Sequence, residues 1–428
     1  MAATGLSRGV ARFVRMLIRG TALAALPMLC AMAFESWKMT AHLRYDLAAR
    51  PEDRSTTRTM WAATFHAHGL VQDVVRIEQV AAPSTAIGPG LVVVRVAAAS
   101  LNPVDFKMIR NPAPNALVPK PRILGYDVAG TVVSVGSGTP FSEGDRVFGM
   151  LPLLGNRWGS LAELVVADAR VLSHAPTSIP LAHAAALPLV GLTVLQVLDK
   201  AIGEGASRGY TDSPRSGKIL VHAGAGGMGS FALQYARHVL GYEEVHTTAS
   251  PGKEHLVKAL GATHVHDYTA GAALAAVGMD VVLDPMAWRY MPDTLRPESQ
   301  VLREGGRYAH VLSSDWAPNR QEQAPEMPFV GPFKQWMTAA RSLVDPTVRR
   351  VYSSAVVPDA AGLARIAQHV DSGAIVPVID RVFAGVDKTV EALLYLQMGH
   401  ASGKVIVQID TSSKEEPEHS NSVMHPGR

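Results

Sequence analysis

The feature that most constrains this chain is a glycine run, Gly224-Ala225-Gly226-Gly227-Met228-Gly229, lying between a strand-like and a helix-like segment. Lys218–His222 reads as a buried strand and Gly227–Leu240 as a helix. In that context each glycine of GxGxxG has a job. Gly224 permits the tight turn, Gly226 lets backbone N–H groups approach an anion, and Gly229 allows the helix to pack close to the strand. The helix N-terminus then offers partial positive charge to a pyrophosphate. A dinucleotide site is the expectation, against a merely structural glycine turn.

The surroundings support a doubly wound parallel sheet. Beyond Leu192 strands and helices alternate: Glu244–Thr248, Asp280–Leu283 and Arg307–Leu312 read as strands, Glu254–Leu260 and Pro297–Arg303 as helices. Upstream, Leu91–Ala99, Asp127–Val135 and Gly144–Phe148 are β-rich and bounded by Gly, Pro and Asn, as in a compact β domain. Downstream, Ala360–Val370 and Val386–Met398 read as helices, Val376–Phe383 and Lys404–Ile409 as strands. The segment 35–58 is linker-like, and the tail from Thr411 is polar and expected to be disordered.

Coenzyme choice is written at the end of the strand after the glycine turn. An NAD site usually places a carboxylate there, about 20 residues beyond the glycines, to accept from the ribose 2′-OH. Here the segment is His246-Thr247-Thr248-Ala249-Ser250-Pro251-Gly252-Lys253. It holds no carboxylate, while Ser250 can donate to a 2′-phosphate and Lys253 can neutralise it. NADPH is therefore expected over NADH.

Charge separates the N-terminus from the rest. Residues 1–58 carry nine basic and four acidic side chains, a net +5 within a chain total of +3. The remaining body is near −2 and is no trap for nucleic acid. Arg8, Arg12, Arg15 and Arg19 would form one helical stripe, and no acidic residue precedes Glu35. Such an Arg-rich amphipathic start reads as a mitochondrial presequence. The rivals are a secretory signal, with Gly20–Phe34 apolar and Ala31-Met32-Ala33 like a cleavage site, or a short membrane anchor over residues 15–34. Membrane association, if any, is expected through this leader alone.

The single cysteine, Cys30, excludes a disulfide framework and Cys-rich zinc sites. His66-Ala67-His68 and His264-Val265-His266 each set two imidazoles on one strand face without an evident third ligand. A metal-free protein is the expectation.

Ala98–Lys107 (with Ser100-Leu101-Asn102-Pro103-Val104-Asp105), Leu124-Gly125-Tyr126-Asp127-Val128-Ala129-Gly130, Gly144-Asp145-Arg146-Val147, Gly159–Glu163, Ala184–Thr193, the glycine turn and Val265–Tyr268 together resemble one family. It is the medium-chain dehydrogenase/reductase superfamily, in its zinc-free quinone and enone reductase branch. The resemblance covers about 59–410. The 198–218 insert and the ending Gly399–Lys404 are most similar to mitochondrial reticulon-interacting NADPH oxidoreductases.

The resemblance implies a GroES-like β-rich domain over 59–191 and 355–410, with a Rossmann domain over 192–354 between its parts. It assigns pyrophosphate contacts to Gly227 and Met228, and 2′-phosphate contacts to Ser250, Lys253 and Tyr268. Thr193 would lie near the nicotinamide, Val311 at the fifth-strand end, and His400, Ala401 and Ser402 would close the pocket. Tyr126 stands where zinc-dependent relatives place a ligating His, and Asn102 lies in the segment that supplies their Cys. In Asp284-Pro285-Met286-Ala287, Pro285 has no N–H to give a coenzyme. Homodimers are the branch's analogy.

Hydride addition to a quinone or an α,β-unsaturated carbonyl leaves an oxyanion that needs a donor. Asn102, Lys107 and Tyr126 are the candidates, with water as an alternative proton source. The expected function is an NADPH-dependent reductase of quinones or enones. The rival readings are an enoyl-thioester reductase and a non-catalytic NADPH-binding scaffold.

Overall fold

The computed structural model describes residues 58–110, 120–153, 158–202, 215–271, 275–286, 290–295, 298–311, 350–354 and 356–410. Residues 1–57 of the leader expected over 1–58, and the tail beyond 410, lie outside them.

The β-rich part contains two sheets. Thr59–Phe65 (β1), Val75–Ala81 (β2) and Arg122–Ile123 (β4) form a small antiparallel sheet in the order β2-β1-β4. The larger sheet has seven strands: Leu91–Leu101 (β3), Asp127–Val135 (β5), Arg146–Met150 (β6), Leu164–Asp168 (β7), Leu172–His174 (β8), Ile379–Ala384 (β15) and Lys404–Gln408 (β16). The C-terminal strand β16 runs antiparallel to β3, so two distant stretches of chain meet at its centre. Branched residues fill β3, and Val92, Val93 and Val94 are fully buried.

The third sheet is entirely parallel. Arg215–Val221 (β9), Tyr242–Ala249 (β10), His264–Asp267 (β11), Met279–Asp284 (β12), Leu302–Val311 (β13) and Arg350–Ser354 (β14) lie in the order β11-β10-β9-β12-β13-β14. Strand order therefore reverses between β9 and β12, the place where such sheets open a crevice at their carboxyl ends. Ile219, Leu220, Val221, Val282 and Leu283 are inaccessible, as expected of strands covered on both faces.

Six helices matter here: Pro103–Arg110 (α1), Pro188–Ile202 (α2), Gly227–Gln234 (α3), Glu254–Ala259 (α4), Ala360–Asp371 (α5) and Thr389–Gln397 (α6). Ten of the fifteen residues of α2 are buried, so it is an interior helix rather than a surface one. Gly191 makes that possible, since a Cβ there would lie 2.6 Å from Ile366 Cδ1 of α5. One apolar core joins α2, α3, β9 and β10 to Phe148, Met150 and Ile406 of the seven-stranded sheet.

Most sequence-derived elements lie within a few residues of their expected bounds. The helix expected over Pro297–Arg303 does not form in its described residues, 298–303. Leu302 and Arg303 begin β13 instead, and the nearest helical turn is Met291–Thr294. Gly278 and Met279 donate their N–H groups to Gln300 O (2.8 Å) and Val301 O (2.7 Å), drawing this stretch into the sheet. Gly305, at φ +71°, takes up the surplus residues between Leu302 and Arg307 as a bulge. Burial of Val301 and Leu302 thus overrides local helical preference.

Candidate active site

The glycine turn occupies the carboxyl end of β9, at the point of strand reversal. His222 follows the strand and Ala223 takes a left-handed conformation at φ +53°. Gly226 caps α3. A Cβ on Gly224 would fall 2.1 Å from Thr247 Oγ1, and one on Gly229 would fall 2.2 Å from Ala223 O. These two glycines are required by packing within the turn. Gly226 differs: its Cβ would meet only Ala223 O, at 3.3 Å, and would otherwise project into open space. A cradle open on that side fits a phosphate group against the first turn of α3.

A strap from the far end of the chain crosses this turn. Gly403 donates its N–H to Ala225 O (2.9 Å) and pairs in parallel with Gly226. Gly403 sits at φ +99°, and a Cβ there would clash with Val378 O at 2.3 Å. Lys253 follows β10 in a single 3-10 turn that starts after Ser250. Its Nζ donates to His400 O (3.3 Å) and to Ser402 Oγ. Asp380 Oδ1 accepts the Ser402 N–H at 2.8 Å. Three residues singled out by sequence, Lys253, His400 and Ser402, are thus in contact. Ala401 and Ser402 are half-buried and His400 is exposed.

Beneath the strap lies a buried polar network. The Lys404 stem passes under the turn, where a Gly227 Cβ would lie 2.7 Å from its Cδ. Its ammonium donates to Leu101 O (3.1 Å), to Asn102 Oδ1, and to Asp127 Oδ2 at 3.4 Å. Asn102 Nδ2 donates to the same Asp127 oxygen at 2.8 Å and faces Ser100 O at 3.4 Å. Asp127 Oδ1 accepts the Leu189 N–H (2.8 Å), and Leu189 O accepts the Thr193 hydroxyl (2.6 Å). A chain of hydrogen bonds, passing through the backbone of Leu189, therefore runs from Thr193 to the Lys404 ammonium.

Asn102-Pro103-Val104-Asp105 explains itself locally. Pro103 starts α1, where a missing N–H costs nothing. Asp105 reaches back so that its Oδ2 accepts the Asn102 N–H at 2.7 Å, in the manner of a capping box. Asp105 Oδ1 is buried without a partner. Burial, with the Asp127 charge adding, pushes this carboxyl up to about 7, against the Asn102 N–H and the Lys404 charge. Burial likewise pushes Asp127 up, opposed chiefly by Lys404, and pushes the Lys404 ammonium down.

Tyr126 is buried, with Arg122 Nη2 donating to its hydroxyl at 3.4 Å. Burial raises its phenol, with the nearby guanidinium opposing. Lys107 lies half-buried on α1, while the amine that enters the network is that of Lys404. Ser250 is half-buried after β10, Met228 packs against the large core, Tyr268 is exposed beyond β11, and Val311 ends β13 paired with Ser354. Lys404, Asp105 and Asp127 escaped sequence reasoning. An aspartate inside the apolar strand Asp127–Val135 was the available signal; Lys404 gave none, since its partner Asn102 is 302 residues away. Beyond β12, Asp284 is occupied internally: Oδ1 accepts the Met286 N–H (2.7 Å) and Oδ2 the Tyr308 hydroxyl.

Among the described residues, one group of three potential metal ligands converges: Glu244, His246 and His264, on β10 and β11. None of them belongs to the network around Asn102.

Comparison with known proteins places this geometry. Residues 88–177 match the family profile of the alcohol dehydrogenase GroES-like domain, and residues 260–407 that of the zinc-binding dehydrogenases. The chain is 34% identical to the 2-methylene-furan-3-one reductase of Solanum lycopersicum, over 81% of this chain and 79% of that protein. It is 32% identical to the chloroplastic NADPH-dependent alkenal/one oxidoreductase of Arabidopsis thaliana, over 83% and 81%. It is 29% identical to the mitochondrial NAD(P)H oxidoreductase RTN4IP1 of Danio rerio, over 80% and 90%. The solved quinone oxidoreductase of Coxiella burnetii shares the fold, with TM-score 0.67 at 24% identity over 82% of this chain and all of that one. These relatives include both mitochondrial and chloroplastic proteins. No helix among the described residues is long and apolar enough to cross a membrane.

Proposed function

The chain belongs to the quinone-reductase branch of the medium-chain dehydrogenase/reductase superfamily, and we propose that it is an NADPH-dependent reductase of quinones and α,β-unsaturated carbonyls. The observation that carries this reading is the end of β10. There Ser250 and Lys253 follow the strand where an NAD-binding protein would carry an acid, and Lys253 reaches the strap that pairs with Gly226. NADPH, when bound, supplies a hydride from its nicotinamide ring.

In this reading the N–H groups at Gly227 and Met228 hold the pyrophosphate, with Gly224, Gly226 and Gly229 shaping the turn. Ser250, Lys253 and Tyr268 hold the 2′-phosphate. Thr193 and Val311 flank the nicotinamide position, and His400, Ala401 and Ser402 close the pocket over the turn. Asn102 has its amide committed to Asp127 and Lys404, and acts as a positioning residue. Tyr126, kept protonated by burial, donates to the oxyanion of the reduced substrate, and Lys107 adds charge at the mouth. Zinc takes no part in the reaction in this reading, since Tyr126 stands where zinc-dependent relatives place a ligating His and Asn102 lies in the segment that supplies their Cys. The Arg-rich start delivers the protein to mitochondria, in keeping with the organellar relatives.

The test is NADPH oxidation by the purified chain against quinones, enones and enoyl thioesters, with NADH in parallel. Turnover of the first two classes with NADPH is expected. A charge-assisted hydrogen bond to the 2′-phosphate is worth roughly ten- to a hundred-fold in affinity. Lys253→Ala should cost NADPH that much and leave NADH nearly unchanged. Equal loss of both coenzymes would show that the adenosine end is misplaced. Turnover of enoyl thioesters alone would replace the substrate class, and binding without turnover of any would leave a scaffold.

A further inference from the structure

The face of β10 and β11 away from the large core carries four groups that the reductase reading does not use. Glu244 and His246 alternate on β10; His264 and His266 alternate on β11. The parallel register sets His246 beside His264 and Thr248 beside His266. The His246 ring stacks on His264 at 4.2 Å and 7° and lies 5.2 Å from His266. One candidate ligand atom from each of Glu244, His246 and His264 lies within 4.8 Å of the others.

Packing of edge histidines would produce stacking alone. The hydrogen bonds go further, because they sort the ring nitrogens. His246 Nδ1 is engaged by His266 Nε2 at 2.9 Å, and Nε2 is turned toward Glu244 Oε2 at 3.3 Å. In a tetrahedral site with metal bonds of about 2.0–2.1 Å, neighbouring ligand atoms stand roughly 3.3 Å apart. On His264, Nδ1 is engaged by Thr263 Oγ1 at 2.9 Å, which leaves Nε2 as the ligand; it shares a metal with His246 once the exposed His264 ring turns out of its stack. A ligating imidazole characteristically has its other nitrogen held in this way. Lys218 Nζ, 2.9 Å from Glu244 Oε2, holds the carboxylate in place and, among the described residues, is the cation a metal must displace there.

We propose that Glu244 Oε2, His246 Nε2 and His264 Nε2 form a site for one divalent transition metal, zinc by donor set, with water as fourth ligand. His266 orients His246 from behind. Two imidazoles and a carboxylate suit Zn²⁺, Cu²⁺ or Ni²⁺ rather than Ca²⁺ or Mg²⁺. The site lies away from the Asn102 network and takes no part in hydride transfer. Its effect is mechanical: β11 is the last strand of the sheet and pairs only with β10, and the metal clips the two together.

The experiment uses the full chain, stripped with chelator and then titrated. Co²⁺ is followed by its visible absorption, Zn²⁺ by calorimetry, and unfolding by thermal melt, all without coenzyme. One equivalent should bind, with the absorption of a four-coordinate site, and Zn²⁺ should raise the melting temperature. Glu244 is half-buried and His264 exposed, so Glu244→Gln and His264→Asn should fold. Each should weaken binding by more than about a hundred-fold, and His266→Asn by roughly ten- to a hundred-fold. Lys218→Met removes the competing cation and keeps every ligand, so it should bind at least as tightly as the parent. Absence of saturable binding overturns the proposal. So does affinity unchanged by Glu244→Gln and His264→Asn, which would place the metal elsewhere.

Discussion

At the scale of single residues, the buried carboxyl of Asp105 has consequences that a stability measurement can read. Its value in the folded protein is about 7, against 3.8 for an unperturbed aspartate. Between those pH values the folded chain keeps a proton that the unfolded chain has released. The associated stability is complete below about pH 4 and is lost as pH rises through 7. Three pH units correspond to about 4 kcal/mol. Asp105→Asn keeps an oxygen for the Asn102 N–H and cannot ionise. Measured by urea unfolding, the parent should lose ground to this variant from pH 4 to pH 8 by an amount of that order. A constant difference across the range would mean that Asp105 ionises normally in the fold. Tyr126 allows a kinetic counterpart. Tyr126→Phe removes the hydroxyl beside Arg122 and leaves the ring, so NADPH affinity should hold while kcat on an enone falls about 10²-fold. An unchanged kcat would assign protonation to water.

At the scale of elements, the glycine turn separates two kinds of glycine that the motif treats alike. Gly229→Ala drives a methyl to 2.2 Å from Ala223 O, a backbone atom that cannot step aside without moving the end of β9. Gly226→Ala meets nothing nearer than 3.3 Å and adds its methyl on the open side. The first variant should lose about 1–3 kcal/mol of stability. The second should melt like the parent and yet lose NADPH affinity, read by coenzyme fluorescence. Unimpaired binding in Gly226→Ala would show that the phosphate does not lie over that glycine. The turn was legible from sequence because its requirements are local. So were the short buried strands on either side. The start of β13 was not, because its pairing with Met279 is decided by tertiary contact while its residues favour a helix. Lys404 was illegible for the same reason carried further. It opens an unremarkable apolar strand, and only the antiparallel pairing of β16 with β3 brings it to Asn102.

At the scale of the whole molecule, the β-rich and parallel-sheet parts are joined in two ways that should make them unfold together. The large core runs without interruption from α2 and α3 into Phe148, Met150 and Ile406. The strap 400–404 binds the glycine turn from above, through Gly403 and Lys253, and from below, through Lys404. Opening either part alone would expose one side of α2, ten of whose residues are buried, and would break the bond from Gly403 N–H to Ala225 O. Calorimetry of the full chain should therefore show one main transition rather than two. A ligand that binds only the folded form stabilises it by about 2.7 kcal/mol at a hundred times its Kd. NADPH, held by the turn and the strap together, should move that entire transition upward. NADH at the same concentration should move it less, because it lacks the phosphate that Lys253 would neutralise. Two transitions, of which NADPH shifts only one, would show that the coenzyme site belongs to the parallel-sheet part alone and that the shared core does not couple the two.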